Sequence, residues 1–386
     1  MTVIHTPGTY ASVHDTLPYT VSDAAKFADP VTYPNLKFIA DIYVDSSLIA
    51  RLKKAPNPDS GYGYFDIAPV LRNYILATFD PDSALDIVAQ ELAEGAFSRT
   101  VTVIFGEEYS FTAYYNLVSE SPKVVYGHYN RTLAGADSAL TAKADKIATN
   151  NSSMRGDAEF GTTFYFLPYF ATTVTPFDVE IDTSTGGTHT ETITPSTGNT
   201  MMSLNISPGA LNTLVPGLIT QADTYYDVTI GTETYRVNII CESLFDPVPI
   251  HFLNQYGGFE TKIFPKANKT NLQIQRKNFG SANYRIDGSG NVNLASANNV
   301  YYENKYNYSV QFDEKFIANT DMLSDAEYEW LYDLIVSPLV YRQSGSYFYP
   351  YSITDTNYDI RKIAVDDLTN LVVTFEPGKT LNAQYR

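Results

Sequence analysis

What most constrains this chain is a two-residue rhythm. Short runs alternate apolar and polar side chains and are cut by Gly, Pro, Asn or Asp. Successive side chains of a strand point to opposite faces, so such runs build sheets with one buried face. Phe38, Ala40, Ile42 and Val44 share one side of a strand over Leu36 to Val44, and Lys37, Asp41 and Asp45 share the other. A second strand, Leu48 to Lys53, follows, and then a turn-rich loop over residues 55 to 66. Arg99 to Phe105 and Tyr109 to Leu117 predict a hairpin through Gly106, Glu107 and Glu108, with Tyr109, Phe111, Ala113 and Tyr115 on its buried face. From Phe160 to Glu242 short Thr-rich strands recur, with turns at Gly186–Gly187 and Gly231, and Tyr235, Val237, Ile239 and Cys241 on one face. Tyr306, Tyr308, Val310 and Phe312 alternate later, as do Tyr347, Tyr349, Tyr351 and Ile353. The expected fold class is mainly β: β-sandwich-like modules plus a C-terminal α+β segment.

One stretch breaks the rhythm. Met322 to Ser337 reads as a helix over about 324–337. Ser324 and Glu327 have capping-box spacing, and Leu323 and Tyr328 have the spacing of a hydrophobic staple. Tyr328, Leu331 and Ile335 share a face, the single Trp330 lies in the middle, and Pro338 stops the helix. Asp66 is placed to cap a shorter helix over Ile67 to Leu76. Residues 83 to 96 have helical composition with enough Val and Ile to leave a strand open.

These signals divide the chain into an N-terminal β-rich domain over 1–130 that begins with an extended arm, a linker or exposed loop over 131–157, a β-sandwich over 158–245 and a C-terminal α+β domain over 246–386. Residues 279 to 299, rich in Asn and Gly, read as a surface loop. No period of 20 to 50 residues signals a solenoid.

The chain has 386 residues, enough for two or three domains. With 26 Lys and Arg against 43 Asp and Glu, its net charge of −17 argues against direct nucleic-acid binding, which needs a positive field. No apolar run approaches the roughly 20 residues that span a bilayer, so membrane insertion is not expected. The opening MTVIHTPGTY lacks the basic and apolar regions of a signal peptide, and Cys241 stands alone, so folding in a reducing cytoplasm is expected without an intrachain disulfide. Tyrosine is abundant, 31 against 21 Phe. Tyr suits strands and also half-buried contact surfaces, where the ring is apolar and the hydroxyl stays wet.

No catalytic, cofactor-binding or metal-binding residues are assigned. The histidines, His5, His14, His128, His189 and His251, form no HExxH pattern. Gly61 and Gly63 match two glycines of a dinucleotide fingerprint, but the third Gly and the βαβ context are missing. Asp287, Ser289, Asn291 and Asn293 place oxygens at alternate positions, as calcium prefers. Val292 replaces the turn glycine of an EF-hand loop, however, and Asn298 stands where a bidentate Glu is needed, which favours a plain Asn/Gly turn. Glu107 with Glu108, and Asp366 with Asp367, are adjacent and point to opposite faces of a strand. Two distant carboxylates could still assemble a glycosidase site.

Three stretches together resemble virion structural proteins of tailed phages that infect Bacteroidota. They are FIADIYVDSSLIARLKKAPNPDSGYGYFDIAPVLRNYI (38 to 75), PIHFLNQYGGFETKIF (249 to 264) and LSDAEYEWLYDLIVSPLVYR (323 to 342), followed by the closing NAQYR. Residues 131 to 156 and 279 to 299 lie outside the resemblance. It implies a non-enzymatic β-rich subunit of a symmetric assembly in the tail or baseplate region, with copies of itself and other virion proteins as partners and the virion as location. It transfers no catalytic residues. A capsid-associated head-fibre or decoration protein remains an alternative position. The other readings are a glycan-binding module that uses tyrosines around 301 to 308 and 347 to 351, and an enzyme degrading surface polysaccharide.

Overall fold

The computed structural model describes residues 1–7, 10–14, 16–75, 79, 90–91, 98–120, 123–125, 140–196, 198–240, 245–354, 368–378 and 381–385. Cys241, His128, Asp366, Asp367 and most of the 83–96 segment lie outside them. The architecture is mainly β, as the alternation predicts. The chain forms two units, each assembled from separate stretches. The first comprises Met1–Glu242, Ile250–Ile263 and Asp325–Ser337; the second comprises Ser243–Pro249, Phe264–Ser324 and Pro338–Arg386. This partition cuts across the expected 246–386 domain.

In the first unit, strand Lys37–Val44 lies between Ser47–Lys54 and Ser98–Tyr109, antiparallel to both. Phe38, Ala40, Ile42 and Val44 enter one hydrophobic core with Val101, Val103 and Phe105. Three expectations need correction here. The first 30 residues are no free arm: Thr2–His5, Pro18–Ser22 and Tyr62–Asp66 make a three-stranded antiparallel sheet. Val13, Leu17, Tyr19 and Val21 fill the same core, and that burial holds the segment down. The 55–66 loop therefore ends early, at strand Tyr62–Asp66. The hairpin of Ser98–Tyr109 with Thr112–Glu120 turns at Ser110 and Phe111, both at positive φ (50° and 62°), as a primed turn requires. Phe111 is consequently 86% exposed rather than buried. The short helix is Ala68–Leu71, with Asp66 Oδ1 accepting from the Ala68 and Leu17 amides.

A second core in this unit sits between two sheets, matching the expected sandwich in kind. One sheet runs Arg155–Glu159, Glu233–Ile240, Tyr225–Ile230, Phe177–Thr183, Thr188–Ile193. The other contains Lys146–Ile147, Phe166–Ala171, Thr200–Asn205 and Gln90–Glu91. Val179, Ile181, Val228 and Val237 from the first meet Leu167, Tyr169, Met202 and Leu204 from the second. The expected linker is corrected over its described part. Ile147, Ala148 and Asn151 are buried, and Arg155–Glu159 pairs in parallel with Glu233–Ile240. Gly156 leaves room for the buried Tyr165 side chain, because a Cβ there would lie 1.8 Å from the Tyr165 hydroxyl.

The helix near 324–337 is present as Asp325–Trp330 and Tyr332–Val336. It packs in the first unit against the 250–263 hairpin, within the stretch expected as the C-terminal α+β domain. Phe252 and Trp330 lie 5.9 Å apart, and the Leu253 amide donates to Ser337 Oγ at 3.1 Å.

The second unit is a sheet in the order Val340–Ser344, Tyr347–Ile353, Val372–Pro377, Lys305–Asn319, Lys269–Gly280. The terminal residues add strand Leu381–Tyr385 beside Lys305–Asn319. Its aromatic centre is Phe375, with Phe264, Phe316 and Tyr351 within 6.5 Å, and the Arg342 guanidinium 4.0 Å over the Phe316 ring.

Candidate functional site

The most unusual surface is the last strand of the second unit. Lys269–Gly280 pairs along its whole length with Lys305–Asn319, from Lys269↔Ile317 to Gly280↔Lys305, with an irregularity at Lys277/Asn278. It ends the sheet, so its outer edge has no strand partner among the described residues. All 12 of its residues are exposed. A strand of this length spans roughly 40 Å. Alternation puts Leu272, Ile274 and Arg276 on one face and Gln273, Gln275 and Lys277 on the other. Leu272 and Phe279 are 58% and 52% exposed. Phe279 stacks on Tyr306 at 5.5 Å across the ribbon.

The ribbon continues into a tip where Arg285–Ile286 pairs with Val292–Asn293. Ile286, Val292, Leu294, Val300 and Tyr301 are all exposed there. The segment expected as a surface loop is thus exposed and contains a small hairpin. Asp287 makes its turn: Oδ1 accepts from the Ser289 and Asn291 amides, both at 2.9 Å, and Gly290 takes φ +83°. Those bonds hold the carboxyl below its usual range and engage the oxygens that a cation would need.

Charge sets this ribbon apart. Between Phe264 and Ile286 stand Lys266, Lys269, Arg276, Lys277 and Arg285, with no Asp or Glu, in a chain of net −17. Lys269, Arg276 and Lys277 have no ion-pair partner among the described residues, whereas Lys266 meets Asp321 at 3.3 Å. An open, exposed, partly apolar edge offers alternating N–H and C=O groups to another strand. The tyrosines near 347 to 351 divide: Tyr347 and Tyr349 are exposed with rings 6.5 Å apart, while Tyr351 packs on Phe316 and Phe375.

A second cluster, in the first unit, is buried. The Glu260 carboxylate accepts from Asn254 Nδ2 and from the Trp330 indole N–H. Burial raises the Glu260 carboxyl to about 7 against the pull of those donors. Burial, then the Glu260 charge, also pushes Asp333 well up, and Asp333 Oδ2 has no hydrogen-bond partner among the described residues. Burial lowers Lys143, which lies 5.6 Å over the Tyr256 ring. Sequence reasoning missed this group because Asn254, Glu260 and Trp330 are joined only by the fold. Nearby, His251 Nδ1 meets Thr261 Oγ1 at 2.8 Å in full burial. His189 meets Glu191 at 3.2 Å, and His5 and His14 are exposed. Glu107 is buried against Lys26 while Glu108 pairs with Lys53 on the opposite face, as their adjacency predicts. Gly61 and Gly63 end a turn and start a strand, with Gly61 at φ +70°.

Comparison of the chain with protein-family models and with curated proteins finds no match. No helix among the described residues is long and apolar enough to cross a membrane.

Proposed function

We propose that this chain is a non-enzymatic structural subunit of a tailed bacteriophage virion, in the tail or baseplate region, acting by self-association and by docking to other virion proteins. The observation that carries this reading is strand Lys269–Gly280, exposed on both faces with an open hydrogen-bonding edge and a row of apolar side chains. A long edge strand with exposed apolar side chains invites another chain. The resemblance of residues 38 to 75, 249 to 264 and 323 to 342 to phage virion proteins supplies the setting. Native mass spectrometry of the purified protein and protein identification in purified particles test it together. Oligomers and presence in particles are expected; a strict monomer absent from particles sinks the proposal.

A second reading rests on the exposed Tyr347 and Tyr349 rings, which offer a platform for sugars on the Val340–Ser344/Tyr347–Ile353 hairpin. A glycan array with hits that Tyr347→Ala abolishes would favour it.

A further inference from the structure

The open edge of Lys269–Gly280 is not suited to pairing with itself. Two copies related by a two-fold axis would bring the three cations of each strand, Lys269, Arg276 and Lys277, to one shared edge with no Asp or Glu from either strand. Like charges across paired strands are destabilising. A strand of opposite charge is the better occupant, and the chain carries one.

The five-stranded sheet of the first unit ends at Thr188–Ile193, whose outer edge is likewise unpaired among the described residues. Its neighbour Phe177–Thr183 presents Asp178, Glu180 and Asp182 on the solvent face, all exposed. They stand opposite Thr192, Thr190 and Thr188. Alternation spaces the three carboxylates about 7 Å apart. No cation pairs with them among the described residues. Arg236, on the same face, is held by Asp227 through two bonds of 2.7 Å. On the edge strand Glu191 stands opposite Val179, so its carboxylate lies on the other face, beside His189. The molecule therefore has one basic open edge and one acidic open edge, on different units.

Resting on the structural-subunit reading, we propose that Lys269–Gly280 of one copy adds to Thr188–Ile193 of the next, so that the two sheets run on between copies. The contact is head-to-tail, and a head-to-tail contact repeats into a ring or a filament. Six residues of the acidic edge occupy half of the 12-residue basic strand. With the acidic edge set against the Arg276–Lys277 end, one of these two cations lies on the face of the Asp178, Glu180 and Asp182 row one strand away and the other on the opposite face, where Glu191 stands; Lys269 falls beyond the contact. Main-chain hydrogen bonds hold the contact and the charges select its partner.

Two variants and their mixture test this. The arm variant is Lys269→Glu/Arg276→Glu/Lys277→Glu; the face variant is Asp178→Lys/Glu180→Lys/Asp182→Lys. All six positions are exposed, so both variants should keep the wild-type circular dichroism and melting temperature. Light scattering after size exclusion should show each variant at least tenfold weaker in self-association than wild type. An equimolar mixture should associate again, because every arm then meets a face of opposite charge. Wild-type association should also weaken between 50 mM and 500 mM salt. If wild type associates and the arm variant associates equally well, this contact is wrong while the structural-subunit reading stands. If wild type stays monomeric at all concentrations, both fall.

Discussion

Strands Phe259–Phe264 and Lys269–Gly280 are neighbours in sequence and opposites in environment. The first, FETKIF, is buried at all six positions; the second, KTNLQIQRKNFG, is exposed at all 12. Yet the first buries a Glu and a Lys, and the second exposes Leu, Ile and Phe. Side-chain polarity alone does not sort them. In the buried strand each charge has a place: Glu260 accepts from Asn254 and Trp330, and Lys262 lies 3.7 Å from Asp157 and 5.8 Å over the Trp330 ring. In the exposed strand the apolar groups have no covering layer. A buried charge with dedicated partners marks a finished interior, and an uncovered apolar strand marks a surface awaiting a partner.

Breaking the buried side should have the largest effect. Trp330→Ala removes a fully buried indole and the donor to Glu260, so urea unfolding should show a loss of about 4 kcal/mol or more. Trp330→Phe should recover the packing but not the hydrogen bond. A loss below about 1 kcal/mol for Trp330→Ala would deny the finished interior.

Next comes pH. Glu260 holds its proton to about 7 in the fold and to the ordinary carboxylate range when unfolded. Between those values the folded state binds more protons, so stability falls as pH rises. The contribution is complete below about pH 4.5 and lost as pH passes 7, on the order of 3 kcal/mol. Asp333, raised by burial and then by the Glu260 charge, acts in the same direction. Denaturation midpoints of Glu260→Gln should be flatter than wild type across pH 5 to 7. An equal slope in both proteins would assign the effect elsewhere.

Asp223, buried in a loop, gives the contrary sign. Burial would raise its carboxyl, but bonds from the Thr220 and Thr185 amides and hydroxyls, at 2.7 to 2.9 Å, outweigh it and hold it far down. Its stabilisation is present above about pH 4 and fades as pH falls further. Asp223→Ala should cost about 2 kcal/mol at neutral pH by thermal unfolding, and the variant should differ less from wild type near pH 2.

Much of the architecture was legible. The alternation of Phe38 to Val44 and of Tyr235 to Ile239 marked strands because one face of each meets a core. Turns at Gly186 and Gly231 were legible because each takes positive φ. The failures were long-range. Whether residues 1 to 30 form an arm depends on Val13, Leu17, Tyr19 and Val21 finding Phe38 and Phe105. The 324–337 helix was visible from its own spacing, but the bond from Trp330 to Glu260 was not, because the two are 70 residues apart. The exposed ribbon hid for the same reason: Leu272, Ile274 and Phe279 read as an ordinary strand until its lack of a covering layer is seen.

The smallest effect on stability should come from that ribbon. Leu272→Ser with Ile274→Ser removes two exposed side chains, so the melting temperature should shift by no more than a degree or two. Both residues share one face, beside Glu314 and Phe312 on the neighbouring strand, so the change strips one apolar stripe and leaves the backbone edge intact. Self-association should therefore weaken by about tenfold without disappearing, since main-chain pairing survives. The contrast with Trp330→Ala sharpens the comparison: one change unfolds and the other only separates copies. A double-serine protein that loses as much stability as the tryptophan variant would show the ribbon to be covered within its own chain.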